Sequence, residues 1–275
     1  MTDMVLVSER NTKYYDKDLK PVYEVPRSKV KILKDEHGNV IGESHTRPPT
    51  VTDAKKLGLD PSNSLILNML GSYGLELFKM EQCIRASMGS PFQGKLEDED
   101  AVKTYINGIY AKSGEYAREC ADAGTAIHKD VEVYFTDHIM PESMVSQKAI
   151  IQMKRKFENL GINAVLCEHT LKGRGYVTTP DLVLISHDGR KIIGDMKTIE
   201  SLNKKTGWPF LKWKLQLGAG WNCEVGADIM SVVIGRDTGD VKFITYTQEE
   251  AENFGMSFML LTHLWERTCC KGGFR

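Results

Sequence analysis

Two short apolar runs joined by one polar turn constrain the fold of this chain more than any other feature. They lie within TPDLVLISHDGRKIIGDMKT, residues 179–198. Apolar runs of this length, separated by a turn that ends in glycine, are typical of a β-hairpin. Asp181, Asp195 and Lys197 lie near the open end of the hairpin. Burying ionised groups beside apolar strands is costly, so their presence predicts a functional site.

The length of the turn decides whether the two aspartates meet. Side chains alternate between the faces of a strand, and directly paired residues share a face. A two-residue turn would pair Leu182 with Asp195. A three-residue turn at residues 187–189, with a left-handed glycine, sets Asp181 opposite Asp195 instead. Lys197 then shares the face of Asp195. The sequence permits either turn, but only the longer one gives a common site.

Two facing carboxylates and one lysine favour a particular chemistry. Facing carboxylates repel each other, and one of them keeps its proton unless a cation lies between them. A hard divalent cation such as Mg²⁺ binds oxygen ligands, keeps several waters and leaves room for a phosphate oxygen. Lys197 stays protonated beside this negative charge and is able to stabilise charge at phosphorus or to hold the attacking water. The set therefore predicts phosphodiester hydrolysis.

These residues resemble a known family. Pro180-Asp181 followed by Asp195-Met196-Lys197 resembles the signature of the PD-(D/E)XK nuclease superfamily. A lone match of this kind arises by chance in many chains. Further elements in the same order resemble its RecB-like exonuclease branch, over roughly residues 119–247: GTAIH at 124–128 with Glu132, then Glu168, and later Gln216-Leu217.

The resemblance implies a fold and a set of roles. The fold is α/β, with a mixed central sheet flanked by helices (a restriction-endonuclease-like αβββαβ core) and a mostly helical N-terminal extension. The implied cofactor is Mg²⁺ or Mn²⁺, held by His128, Asp181, Asp195 and the backbone carbonyl of Met196. Lys197 assists water attack, Gln216 orients the lysine or the substrate, and Glu168 joins the site. Supporting or DNA-contacting roles fall to Glu132, Thr198, Lys204 and Lys205.

Each residue also has an ordinary structural interpretation. His128 alone would suit an amphipathic helix, and Glu132 would suit an ion pair with Lys129. Glu168 would suit an exposed strand position, and Gln216 the edge of a core. The lysines and aromatic residues of NKKTGWPFLKWK, residues 203–214, fit either a DNA contact or a solvated helix face packed by its aromatic rings. These alternatives remain open from the sequence.

The remaining chain predicts helices and strands in a definite order. A hairpin is expected within residues 28–44, and two helices between residues 63 and 88 separated at Gly71-Ser72. From about residue 113 the pattern predicts the order α-α-β-β-β-α-β-β-α. The expected helices run through 115–135, from Ser143 to Leu160, through 208–223 and, after a capping box of Thr247 and Glu250, to about residue 268. The expected strands lie at 162–171, 176–186, 191–199, 227–235 and 241–247. The predicted domains are an N-terminal hairpin and helical cover, residues 1–112, and a nuclease core, residues 113–275. The cover is expected to narrow access to the site.

Composition limits the function classes. The chain has 275 residues, 41% of them hydrophobic, which suffices for a large core. The formal charge of -1 neither supports nor excludes nucleic acid. The six cysteines form no CxxC pair, which predicts reduced thiols. The iron-sulfur subgroup of the branch that these motifs resemble carries one cysteine before the core and a close trio after it, and this sequence lacks that pattern, so the resemblance implies no iron-sulfur cluster. No apolar run approaches the roughly 18 residues of a membrane span, and we expect no membrane association and a cytoplasmic location, in the bacterial host if the chain is phage-encoded.

The function expected is therefore a Mg²⁺- or Mn²⁺-dependent DNA exonuclease. Its substrate would be DNA with a free end, in phage or bacterial recombination, repair or replication, with a recombination or replication protein as a further partner. Two alternatives stay open. One is an endonuclease with the same site, and the other is a catalytically idle DNA-binding or assembly factor of the same fold.

Overall fold

The chain forms a mixed α/β structure around a five-stranded sheet. The computed structural model describes residues 13–35, 37–71, 73–202 and 210–270, without the side chains of 73–78, 116, 117 and 270. The helices are α1 (Val51–Leu57), α2 (Asn63–Leu67), α3 (Tyr73–Gly89), α4 (Glu99–Asp137), α5 (Met144–Asn159), α6 (Leu211–Cys223) and α7 (Gln248–Trp265), the last continued by a π-helical turn, Glu266–Cys270.

The strands belong to one central sheet and three small ribbons. The central sheet has the order β11-β10-β9-β8-β5, in which only the β9–β10 pair is parallel. The ribbons pair β1 with β4, β2 with β3, and β6 with β7. The strand bounds are β1 (Tyr14–Tyr15), β2 (Val25–Lys34), β3 (Val40–Arg47), β4 (Asp60–Pro61), β5 (Ile162–Cys167), β6 (Leu171–Gly173), β7 (Tyr176–Thr178), β8 (Leu182–Ser186), β9 (Lys191–Ile199), β10 (Asp228–Gly235) and β11 (Val241–Thr245).

Helices cover both faces of the central sheet. One face packs against α4 and α5, where Met196 of β9 contacts a cluster that includes Ile127 and Ile150. The opposite face packs against α6 and α7 through a cluster that includes Ile193 and Leu217. Neighbouring residues of β9 therefore enter different cores, as strand alternation requires.

Several predicted elements are confirmed. The β2–β3 hairpin forms, and the break predicted at Gly71-Ser72 lies between α2 and α3, although Ser72 itself is outside the described residues. Helix α5 is capped by Ser143 and followed by Gly161 at a φ of 67°. The predicted capping box of Thr247 and Glu250 begins α7. Cys83, Cys120, Cys167, Cys223 and Cys269 carry free thiols.

Three predicted elements need correction. Helix α4 begins at Glu99 rather than near residue 113, because Asp98 caps its first turn and accepts the amide of Ala101. The boundary proposed between residues 112 and 113 thus falls inside a continuous helix. The strand predicted over 162–171 ends at Cys167, since Glu168 takes a left-handed backbone with a φ of 49°.

The strand predicted over 176–186 is also divided. Pro180 separates β7 from β8 because it has no N–H to give to a ladder. The helix expected from Trp208 begins at Leu211 in the described part of the chain; Trp208 itself lies outside it. Within the described ranges, no helix combines the length and apolar character needed to cross a bilayer.

Close approach through small residues fixes α6 between the sheet and α7. A Cβ atom at Gly220 would lie 2.7 Å from Cγ2 of Ile193 on β9. A Cβ at Gly218 would overlap the backbone carbonyl of Phe254 on α7. Neither neighbour is the free end of a flexible side chain. The position of α6, and of every functional side chain on it, therefore depends on glycine at these two places.

We expect Gly218→Ala to destabilise the protein by about 1–3 kcal/mol, because the added methyl group forces backbone atoms apart in a packed interface. The measurement is the midpoint of denaturant unfolding.

Gly108→Ala is the matched control, since Gly108 is also helical but exposed, with nothing within 4 Å of an added Cβ. It should stabilise α4 by about 0.5–1 kcal/mol. Equal effects of the two substitutions would contradict the close-packing interpretation.

Candidate active site

The hairpin turn has the length that brings the two aspartates together. Strand β8 pairs with β9 in the register Leu182 to Gly194, which places Asp181 opposite Asp195. The amide of Ser186 donates to the carbonyl of Arg190 at 2.9 Å, so residues 187–189 form a three-residue turn. Gly189 has a φ of 81°, the left-handed conformation that favours glycine. The three-residue turn is confirmed.

A third acidic residue continues the same row across the sheet. Strand β5 pairs with β8 in the register Cys167 to Leu182, and the next residues are joined by the amide of Glu168, which donates to the carbonyl of Asp181 at 3.2 Å. Glu168 therefore directly follows β5 and lies beside Asp181. Its left-handed backbone turns the chain at the point where the strand ends.

Asp181 is held by groups from two other elements. Its Oδ2 accepts a hydrogen bond of 2.6 Å from the backbone amide of Met196 on β9. Its Oδ1 lies 3.6 Å from Nδ1 of His128 on α4, beyond hydrogen-bond length. Both side chains are largely buried, with exposures of 14% and 12%. The aspartate is thus fixed on one side and adjacent to an imidazole on the other.

Asp195 and Lys197 form an ion pair that extends to α6. Nζ of Lys197 donates to Oδ1 of Asp195 at 2.8 Å and lies 2.7 Å from Oδ2 without hydrogen-bond geometry. The same Nζ donates to Oε1 of Gln216 at 3.1 Å. The Asp195 side chain is 2% exposed and that of Lys197 is 21% exposed. Gln216 and Asp195 together therefore hold the lysine ammonium in one position.

The position of His128 depends on a close contact between α4 and β9. A Cβ atom at Gly124 would lie 2.5 Å from Oγ1 of Thr198. The absence of a side chain at Gly124 lets the helix approach the strand at this level. His128 lies one turn later, so the same approach carries its imidazole to Asp181. The glycine in the GTAIH stretch therefore has a packing reason.

The two aspartates have opposite electrostatic environments. Burial, together with the facing charge of Asp181, raises the pKa of Asp195 although Lys197 acts against the shift. Burial also acts to raise the pKa of Asp181, but His128, Lys197 and the Met196 amide outweigh it and lower that pKa. The structure thus stabilises one ionised carboxylate and penalises the other.

A cavity of about 430 Å³ opens beside these groups. The predicted site residues His128, Glu168, Asp181, Lys197 and Gln216 line it. The other lining residues come from two threonines of the core and from the N-terminal region: Thr170, Thr179, Tyr15, Pro21, Tyr23, Ser62, Asn63 and Ser64.

The remaining predicted residues lie elsewhere. Met196 is 1% exposed and packs into the α4–α5 core, while Thr198 faces Gly124 of α4. Glu132 forms an ion pair of 3.1 Å with Lys129, its ordinary structural partner. Lys204 and Lys205 lie outside the described residues.

Two buried atoms of the predicted catalytic residues lack hydrogen-bond partners. Nδ1 of His128 and Oδ2 of Asp195 are both enclosed without a hydrogen bond among the described residues, although Oδ2 lies 2.7 Å from Nζ of Lys197. Orphaned acceptors of this kind, next to a second carboxylate, suit a hard divalent cation in their chemistry. No three His, Cys, Asp or Glu side chains in the described ranges already surround one point, however. The donor atoms of His128, Asp181 and Asp195 fit a metal ion in their chemistry. In this structure the Asp195 carboxylate is paired with Lys197.

Sequence reasoning missed the N-terminal wall of the cavity. Tyr15 and Tyr23 lie outside the motifs, and only their aromatic character in a polar segment was a signal. Ser62 caps α2, which a serine before an apolar run indicates, but nothing in the sequence places that cap beside Asp181. The cover predicted to be helical contributes this wall through non-helical residues and the start of a short helix.

Comparisons with known proteins add little. No protein-family model matches the chain, and no curated protein matches it. Among solved structures, the crystal structure of SSO0001 aligns with 69% of this chain and 87% of its own, at 13% identity and a TM-score of 0.27. That score is too low to assign a common fold.

We expect opposite effects on stability when each aspartate is made neutral at slightly alkaline pH with EDTA present. Asp195→Asn should raise the free energy of unfolding, because its raised pKa means that ionisation disfavours the folded state above that pKa. Asp181→Asn should lower it, because its ionised form is the favoured one. Each change should be on the order of 1 kcal/mol or more, since one pKa unit corresponds to about 1.4 kcal/mol.

Denaturant unfolding measures both variants under identical conditions. Both variants replace an aspartate by the nearly isosteric asparagine, and their expected effects on the free energy of unfolding are opposite. Each is therefore the control for the other. Destabilisation of equal size in both would contradict the electrostatic division.

Proposed function

We propose that this chain is a metal-dependent DNA nuclease of the PD-(D/E)XK kind, acting as an exonuclease. The observation that carries the proposal is the convergence of Asp181, Asp195, Lys197 and Gln216 beside a cavity, through a hairpin register that would separate the aspartates if it shifted by one residue. The order α5-β5-β8-β9-α6-β10 supports a core of the restriction-endonuclease type.

The described residues have distinct roles in phosphodiester hydrolysis. Lys197 is fixed by two acceptors, so its ammonium has a defined position from which to hold a water or to stabilise charge that develops on the phosphate. Gln216 keeps that ammonium in place. In the reaction, water adds to phosphorus and the ester bond to the leaving oxygen breaks. Burial of the site strengthens each of these electrostatic interactions.

His128, Asp181 and Asp195 are the residues that would hold Mg²⁺ or Mn²⁺, with the Met196 carbonyl as a further ligand. A bound divalent cation would polarise the phosphoryl oxygen and offset the repulsion between the carboxylates. The orphaned atoms of His128 and Asp195 support this assignment. The Met196 amide orients Asp181 through its hydrogen bond to Oδ2.

The enclosure of the site favours an exonuclease over an endonuclease. Residues of the N-terminal region line the same cavity as the catalytic groups. A strand end enters such a cavity more readily than the middle of a continuous duplex. A DNA-binding factor without activity is the alternative from another class. The intact acidic pair and its lysine argue against it, because a binding surface has no need of two buried carboxylates.

The test is degradation of end-labelled linear DNA and of a covalently closed circle in Mg²⁺, Mn²⁺ or EDTA. We expect metal-dependent loss of the linear DNA alone. Asp195→Asn and Lys197→Ala should each reduce the rate by about 10²–10³-fold, the usual cost of removing a preorganised electrostatic group.

Lys191→Ala is the matched control. Lys191 lies on the same strand as Lys197 but pairs with Glu224 at 2.7 Å, away from the cavity. Its activity should equal that of the wild type. Cutting of the circle would show an endonuclease, and no metal-dependent degradation would support the binding factor.

Metal binding has its own readout in thermal unfolding. Mn²⁺ should raise the unfolding temperature of the wild type, because a ligand that binds only the folded state stabilises it in proportion to the logarithm of its concentration. Asp195→Asn should abolish most of that shift, and Lys191→Ala should retain it. A shift of equal size in all three proteins would place the cation elsewhere.

A further inference from the structure

We propose that the hydroxyl groups of Ser231 and Tyr246 form a pair that positions the carboxylate of Asp195, the residue that would hold the divalent cation. This inference rests on the proposed nuclease function and deepens it. It gives a role to two residues that lie outside the motifs. Both act through Asp195, so they are positioning residues.

The first observation is the place of Ser231 in the central sheet. Strand β10 lies on the opposite side of β9 from β8, and its parallel register pairs Ser231 with Asp195. Directly paired residues share a face of the sheet, and neighbouring strands lie about 4.7–4.9 Å apart. Ser231 therefore flanks Asp195 on one side, as Asp181 does on the other.

The second observation is that Ser231 is an exception in its strand. Seven of the eight residues of β10 are buried, and in this fully described strand Ser231 carries the one polar side chain among those seven. Ser231 itself is 0% exposed. A buried hydroxyl among apolar side chains is unfavourable unless it is hydrogen-bonded. The position directly beside a buried carboxylate gives the strand a reason to carry a hydroxyl here.

The third observation is a second hydroxyl that supports the first. Tyr246 directly follows β11 and packs against the cluster that includes Ile193, on the α6–α7 face of the sheet. Its Oη lies 3.1 Å from Oγ of Ser231. Burial raises the pKa of Tyr246, and the charge of Asp195 adds to that shift. The phenol therefore keeps its hydrogen within electrostatic reach of the carboxylate.

The hydrogen atoms of the pair indicate its direction. Two hydroxyls carry two hydrogens, and the bond between them uses one. If Tyr246 donates to Ser231, the hydrogen of Ser231 is left for another acceptor. Oδ2 of Asp195 accepts no hydrogen bond among the described residues, and bonds to ionised acceptors are the stronger ones. This direction points the free hydrogen toward the carboxylate.

The pair would act when Asp195 has two cationic partners. In this structure Ser231 and Asp195 are neighbours without a direct hydrogen bond, and the carboxylate pairs with Lys197. A divalent cation would share the carboxylate oxygens with that lysine. A donor on the β10 side would then limit rotation of the carboxylate between its two partners. Groups that orient a metal ligand in this way typically change metal affinity by about 10- to 100-fold.

The first experiment measures Mn²⁺ affinity by isothermal titration calorimetry without DNA. Ser231→Ala should weaken Mn²⁺ binding by about 10- to 100-fold. Tyr246→Phe removes only the supporting hydroxyl and should weaken it by about 2- to 10-fold. Ser231→Thr keeps a hydroxyl at this position and should bind Mn²⁺ as the wild type does.

Ser146→Ala is the matched control. Ser146 is also 0% exposed, and its hydroxyl donates to Asp130 on α4 at 2.5 Å. This variant should lower the unfolding midpoint and leave Mn²⁺ affinity unchanged. The same result for Ser231→Ala and Tyr246→Phe, with stability reduced and affinity retained, would show a purely structural role and overturn the inference.

The second experiment needs neither metal nor activity. Denaturant unfolding in EDTA compares Ser231→Ala, Asp195→Asn and the double variant. If Ser231 acts on the Asp195 carboxylate, Ser231→Ala should lower the unfolding midpoint by less in the Asp195→Asn background, because the stronger acceptor is gone. Equal shifts in the two backgrounds would mean that the residues are independent and would overturn the inference.

The two experiments separate this inference from the proposed function. If the wild type binds Mn²⁺ and cleaves DNA while Ser231→Ala behaves as Ser146→Ala does, the inference is overturned and the nuclease stands. If the wild type binds no Mn²⁺, or if Asp195→Asn binds it equally well, the metal assignment of the proposed function fails. The unfolding experiment then decides alone whether Ser231 acts on Asp195.

Discussion

The facing of two buried carboxylates, Asp181 and Asp195, is the constraint on which the rest of the site depends. Like charges in a low-dielectric environment repel each other unless cations or hydrogen-bond donors compensate them. The Met196 amide compensates the first and Lys197 the second. These partners are brought in by the same strand pairing that creates the repulsion. The three-residue turn therefore brings the two carboxylates together and also places most of the groups that compensate their repulsion.

Local chemistry explains which parts of the structure the sequence predicts. The register around Gly189, the cap at Ser143 and the capping box at Thr247 follow from neighbouring residues, because turns and helix ends are decided within a few positions. The contact of Lys197 with Gln216 follows from a family resemblance, in which the spacing between motifs already carries tertiary information. The core of the candidate site was therefore predictable.

Long-range packing decides the remainder. The left-handed backbone of Glu168 ends a strand that its apolar pattern would continue, and no local signal marks that turn. The tyrosines of the cavity wall reach the site through contacts between residues far apart in the chain, such as Tyr15 with Thr179. The start of α4 at Glu99 was not predicted because the exposed first half of the helix has little apolar periodicity, although Asp98 is an ordinary cap. A structural feature that depends on contacts with a distant part of the chain cannot be predicted from its local sequence alone.

The contact between Gly124 and Thr198 has a mechanical consequence for α4. At about 1.5 Å per residue, His128 lies only ~6 Å along the helix axis from this contact, whereas the first turn after Asp98 lies ~38 Å away on the other side. If the helix tilts about the contact as a rigid rod, its distant end sweeps an arc about six times larger than the displacement of the histidine. A tilt of this kind would therefore displace the imidazole of His128 very little. The geometry around Asp181 would stay nearly unchanged while the N-terminal part of α4 moves.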